Sequence, residues 1–215
     1  MSDAVKSETY KGHVIETHVD SNPLNPRKDR DNMGTIVYWH TRYTLGEVDG
    51  RKEYPDQPPQ ELADKLTAAG AVLLPLYLMD HSGLALSTTS AQFRACDPTG
   101  WDWGPVGFIY VGADKIRKEY GVTRISAKVR ELAEGALRAE VAEFATYLAG
   151  EVYGYVVLDP DGKHADSCWG YYGHEDSKGY MIQCAKDAVD GHLAAQHEQA
   201  TLCACVIPAG GYFLA

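Results

Sequence analysis

Apolar positions along the chain switch between a spacing of two and a spacing of three to four, and the switches mark out the elements. Residues 13–19 (HVIETHV) alternate and predict a first strand. Residues 20–34 (DSNPLNPRKDRDNMG) carry two prolines, three asparagines and three aspartates, a composition that predicts a long irregular loop. Residues 35–43 (TIVYWHTRY) are rich in β-branched and aromatic types, so a strand is expected there. It would set Tyr38, His40 and Arg42 on one face and Val37, Trp39, Thr41 and Tyr43 on the other. A short helix follows over 59–69, with prolines at its start and Gly70 past its end. Residues 72–79 and 84–88 flank the turn Asp80-His81-Ser82-Gly83 and read as a hairpin.

Further on, CDPTGWDWGP reads as a loop, 106–111 as a strand and 114–120 as a helix closed by Gly121. From Ser126 to Gly150 the residues Val129, Leu132, Ala133, Ala136, Leu137, Val141, Phe144, Ala145 and Leu148 recur at helical spacing, predicting the longest helix, with one stripe against a sheet. Residues 152–158 and 164–172 form a second hairpin around DPDGK, and a last helix covers 178–199 with Gly191 as a break. Hairpins set between helices predict an α+β fold: a mixed, mostly antiparallel sheet with helices packed on one face. The organisation expected is a flexible stretch over 1–12, one domain over 13–200, and an apolar tail over 201–215 that adds a strand or a contact segment.

Composition narrows the class. A chain of 215 residues with 45% hydrophobic and 23% charged positions buries a core without staples. The longest apolar run, 68–79, is broken by Gly70 and Pro75 and is too short for a bilayer. The first residues, MSDAVKSETYKG, lack the apolar stretch of a secretory signal. Five cysteines in no disulfide-like spacing fit a reducing cytoplasm, and Cys203-Ala-Cys205 is tighter than a zinc knuckle. The net charge is −10, and residues 139–215 hold 3 Lys/Arg against 11 Asp/Glu. With no basic stripe to release counterions, direct nucleic-acid binding is not expected. An acidic mimic of DNA is the opposite reading, although scattered acids also serve solvation.

Catalytic motifs are sparse. His81 stands between Asp80 and Ser82, a base beside a carboxylate and a hydroxyl, yet triads are assembled from distant segments and a turn histidine is the simpler reading. Cys168 needs a base such as His40, His81 or His174, and Asp166 beside it raises rather than lowers a thiol pKa. Oxygen ligands at Asp20, Asn22, Asn25, Asp29 and Asp31 miss the EF-hand register. His164, His174, Glu175 and Asp176 are a second candidate metal group, with a polar loop as the plain alternative. There is no GxSxG elbow, HExxH, Walker loop or dinucleotide fingerprint, and no cofactor is expected.

Aromatic residues carry more weight. Fourteen tyrosines and four tryptophans fall in this chain, and Trp101, Trp103, Trp169, Tyr171 and Tyr172 lie near loops or strand ends. Such side chains suit an interface or stacking on a planar ligand, and equally the core of a twisted sheet. An anionic ligand would take cations from Arg42, Arg94 and Lys178.

Four blocks, DNMGTIVYWHTRYTLG (31–46), YLMDHSG (77–83), VGFIYV with KIRKEYG (106–121) and VYGYVVLDPDGKHADSCWGYYG (152–173), resemble a family of uncharacterised proteins carried by bacteriophages and prophages. The likeness spans about residues 13–175 and departs at ACDPTGWDWG and after residue 176. It implies no established activity. It implies an accessory role in the infected bacterial cytoplasm, in which a host protein is bound and disabled or a small nucleotide-like signal is sequestered. The competing expectations are a small metal-dependent or nucleophilic hydrolase and, further back, the DNA mimic. The apolar stretch 202–214 points to self-association.

Overall fold

The structure, a computed structural model, describes residues 4–173 and 175–205, apart from the side chains of 175–178 and 202–205. The fold is α+β with mostly antiparallel sheets. The chain divides into two compact units, 22–151 and the joined ends 1–21 with 152–215. Among the described residues no helix is long and apolar enough to cross a membrane.

The unit of the chain ends holds a four-stranded antiparallel sheet. Its strands are β1 (Lys6–Tyr10), β2 (His13–Val19), β8 (Val152–Leu158) and β9 (His164–Tyr172), in the order β1-β2-β8-β9. The residues expected to be loose before 13 thus supply β1, in register with β2 from Lys6–Thr17 to Tyr10–His13. Helix α6 (Glu175–Cys205) covers one face. Met181, Ala185 and Val189, at i, i+4 and i+8, are fully buried against Ile15, Tyr155 and Val157. The helix starts earlier than predicted, runs through Gly191 and is the longest in the chain. A mid-helix glycine costs about 1 kcal/mol, and burial of the apolar stripe outweighs that. Residues 201–205 continue α6; 206–215, where the tail was expected, lie outside the described residues.

The central unit is built on a five-stranded sheet in the order β4-β3-β7-β5-β6. Its strands are β3 (Thr35–Tyr38), β4 (Val48–Asp49), β5 (Val72–Asp80), β6 (Leu84–Ser87) and β7 (Trp103–Val111), antiparallel except for the β3–β4 pair. Helices α4 (Ala113–Tyr120) and α5 (Ala127–Leu148) pack on one face, where Ile36, Leu76 and Ile109 meet Ile116, Ala133, Leu137, Val141 and Phe144. The next residues along the strands, Val37 and Phe108, point the other way, onto Leu62 and Ala63 of α2 (Pro59–Ala68). Helices on one face therefore describe the four-stranded sheet, whereas the five-stranded sheet carries them on both. Two short helices, α1 (Gly50–Glu53) and α3 (Ala91–Cys96), fall where only connections were expected.

Strand β3 stops at Tyr38 instead of running to 43. At its last pair, Tyr38–Gly107, the two strands run very close: Gly107 has φ +153°, and a Cβ on it would lie 2.1 Å from the Val37 carbonyl oxygen. The backbones approach too closely for any side chain at this position.

Loop 22–34 is irregular, as its composition demands, but its anchor is a buried charge. Arg27 donates from Nη1 to Glu140 (2.8 Å) and Asn32 (3.2 Å), from Nη2 to the Gly34 carbonyl (2.8 Å) and from Nε to Glu47 (2.9 Å). The two carboxylates also accept backbone N–H groups, Glu140 from Met33 (2.6 Å) and Glu47 from Ile36 (2.8 Å). Every polar group of the network is thus engaged, which is what makes an interior guanidinium tolerable.

Candidate functional site

Three connections meet at one end of the five-stranded sheet: the β3–β4 loop, the β5–β6 turn and the α3–β7 loop. The turn is fixed by the Asp80 N–H donating to the Asp102 carbonyl (2.8 Å) and by Ser82 in a left-handed conformation at φ +53°. On this frame stand His40, Arg42, Tyr43, Asp80, His81, Trp101, Asp102 and Trp103. The sequence reading had named six of these eight without any reason to expect them together.

The polar contacts are paired. His81 places Nδ1 2.8 Å from Asp102 Oδ2. A carboxylate accepts, so Nδ1 donates, and in the neutral ring Nε2 carries the lone pair. Asp80 does not orient His81; it accepts from Arg42 Nη2 (2.7 Å) and from the Tyr43 hydroxyl (3.0 Å). His40 stacks on Tyr43, ring centres 5.1 Å apart, and its Nδ1 accepts the Tyr43 N–H (3.1 Å) and the Arg42 N–H (3.3 Å). Burial, and then the neighbouring Arg42 charge, hold the His40 pKa below the ordinary imidazole value. No hydrogen bond joins Ser82 to His81, so the serine beside the base is not set up as a nucleophile.

The two tryptophans of CDPTGWDWGP have opposite fates. Trp103 opens β7, packs against Tyr77 and Phe93 with ring centres 6.2 and 6.4 Å away, and donates its indole N–H to the Asp97 carbonyl (2.8 Å). Trp101 is 89% exposed. The loop presenting it is braced by Asp97, whose carboxylate accepts from the Thr99 N–H (3.0 Å), the Thr99 hydroxyl and the Asp102 N–H (3.0 Å). Those bonds, led by the Thr99 hydroxyl, pull the Asp97 pKa down to about 2.

The remaining candidates lie elsewhere. Trp169, Tyr171, Tyr172 and Cys168 belong to the four-stranded sheet. Trp169 is half-exposed and lies over Gly154, where a Cβ would come within 2.3 Å of the indole, so this aromatic fills a gap on the sheet surface. Tyr171 packs into the core under α6; burial, and then hydrogen bonding to the Cys168 and Cys184 thiols, push its phenol pKa well up. The Cys168 thiol donates to the Trp169 carbonyl (3.9 Å), with no imidazole bonded to it. His164 meets Ser167 (3.1 Å).

The proposed metal oxygens do not gather. Asp29 accepts the Asn25 N–H (2.7 Å), and Asp31 lines a cavity of about 310 Å³ with Lys115, Glu119, Tyr120 and Glu140. Among the described residues no three His, Cys, Asp or Glu side chains stand close enough to share an ion. Arg94 lines a hollow of about 470 Å³ on α3. The side chains of His174, Glu175, Asp176 and Lys178 lie outside those described.

Asp102, Asp97 and Tyr43 were missed. Asp102 is 21 residues from His81 in the chain, and nothing local links them. Asp97 did carry a signal, since Asp-Pro-Thr-Gly is turn chemistry with an acceptor at its head.

Compared with protein-family models, with curated proteins and with solved structures, the chain gives no match.

Proposed function

We propose that the protein acts by binding, as an accessory factor of a phage that captures a host protein or a small nucleotide-like molecule, and that the end of the five-stranded sheet is its binding face. The observation that carries this reading is Trp101, nearly fully exposed on a loop braced by five hydrogen bonds to Asp97. An aromatic anchor held in place before contact loses little conformational freedom on binding, which is where affinity is most often gained. Arg42 and His40 stand at the same end of the sheet, on the β3–β4 loop, and would recognise an anionic or polar group. The phage resemblance supplies the setting, and the charge balance speaks against nucleic acid as the direct ligand.

A second reading has one observation in its favour. The His81–Asp102 pair orients an exposed imidazole through its Nδ1, the arrangement in which a carboxylate positions a general base for a small hydrolase. The two readings separate in one experiment. Protein isolated from bacterial cytoplasm is weighed under native and then denaturing conditions, as wild type, Trp101→Ala and His81→Ala. Binding predicts a ligand or partner retained by wild type and His81→Ala and lost from Trp101→Ala. Retention by Trp101→Ala would sink the binding face as drawn. Capture of an unprocessed ester or phosphoester by His81→Ala alone would favour the hydrolase.

A further inference from the structure

His13, at the start of β2, is 1% exposed. Its Nδ1 lies 3.2 Å from the Lys11 carbonyl oxygen. A carbonyl only accepts, so Nδ1 bears the hydrogen, and in the neutral ring Nε2 keeps its lone pair. That buried Nε2 has no hydrogen-bond partner. Natural interiors rarely leave such an atom unmet, and each case calls for a reason. The ring beside it is another imidazole: His192 of α6 stands edge-on, centres 5.6 Å apart and planes at 81°.

We infer that His13 and His192 form a binding site for a divalent first-row transition-metal ion. A metal-ligating histidine typically donates its other ring N–H to a backbone carbonyl, which fixes the tautomer and turns the free nitrogen to the metal. His13 is held in that state already. Bonds of ~2 Å from each nitrogen to one ion place two imidazole centres roughly 5–6.5 Å apart, which brackets the observed separation. Gln196, one helical turn beyond His192, donates its side-chain Nε2–H to His192 Nε2 (2.8 Å), so an ion would take that lone pair by displacing the amide, whose oxygen would then turn toward it. Asp190 is committed to Lys11 (2.8 Å) and Tyr10 (3.3 Å) and does not join.

With two imidazoles as its protein nitrogens, the site keeps positions for the Gln196 amide and water. It is an exchangeable site rather than a closed structural one. Imidazole ligands select zinc, copper or nickel over magnesium and calcium. A bound ion would tie β2 to α6, from opposite ends of the chain, within one compact unit.

The test is calorimetric titration of the full chain, freed of metal with chelator, using zinc(II) chloride. One ion per chain is expected, with affinity falling at least tenfold in His13→Ala and in His192→Ala and unchanged in His81→Ala, which lies in the other unit. Because His13→Ala empties a core position, half-buried His192 is the deciding variant, with its circular dichroism compared to wild type. Cobalt(II) should give wild type a visible absorption band that His192→Ala lacks. Absence of zinc binding to wild type, equal binding by His192→Ala, or an equal response to magnesium would overturn the proposal.

Discussion

Arg27 and Glu140 meet at 2.8 Å with the guanidinium side chain 2% exposed, joining an irregular loop to the middle of α5. Removing one member of a buried pair leaves the other charge without compensation, at a cost of about 3–5 kcal/mol. Arg27→Ala is therefore expected to lose stability of that order in urea unfolding. Arg30→Ala, on the nearby but exposed pair with Glu143, should stay within about 1 kcal/mol.

Gly107 is a second point of intolerance. A Cβ 2.1 Å from the Val37 carbonyl oxygen cannot be relieved by a rotamer change, because the obstruction is backbone. Gly107→Ala should destabilise by more than about 2 kcal/mol, since strain adds to the conformational misfit. Thermal unfolding measures it, with Gly104→Ala, which meets no atom within 4 Å, as the mild companion.

Trp101 and Trp103 should separate stability from binding. Trp103→Ala removes a packed ring and its hydrogen bond, a loss of about 3–5 kcal/mol. Trp101→Ala touches an exposed side chain and should stay within about 0.5 kcal/mol of wild type. Equal losses in a urea titration would show that Trp101 packs against something in solution.

Asp97 gives the loop an acid limit. Its folded pKa of about 2 lies below the ordinary 3.8, so the bonds to Thr99 and Asp102 are in full force above the ordinary value. They are lost as pH falls through about 2. The Trp103 indole N–H resonance should hold its position down to about pH 4 and shift below it. In Asp97→Asn that step should be absent and the resonance displaced at neutral pH.

Much of the fold was legible because period and punctuation act locally. Gly121, in the left-handed conformation at φ +62°, ends α4 where the sequence says, and Ser126 caps α5 by accepting the Val129 N–H. The stripe on α5 buries Ala133, Leu137, Val141 and Phe144 as predicted, while Leu132 stays half-exposed because it sits at the stripe's margin. What misled was equally local. β1 looks polar because it is an edge strand with one exposed face, and Gly191 looks like a break because the stripe that carries α6 past it is decided by the sheet below.

The sequence by itself determined the types and order of the main elements, the antiparallel hairpins and the scarcity of catalytic motifs, since these depend on neighbours a few residues apart. Only the tertiary structure decided that the strands divide into two sheets, that Asp102 rather than Asp80 holds His81, and that His13 lies beside His192. Each is a pairing across long stretches of chain, selected by shape and by the need to satisfy buried polar groups. No spacing along the sequence encodes such a choice. The same holds for the two tryptophans at 101 and 103: identical in type and two residues apart, they diverge because one meets Tyr77 and Phe93 and the other meets water.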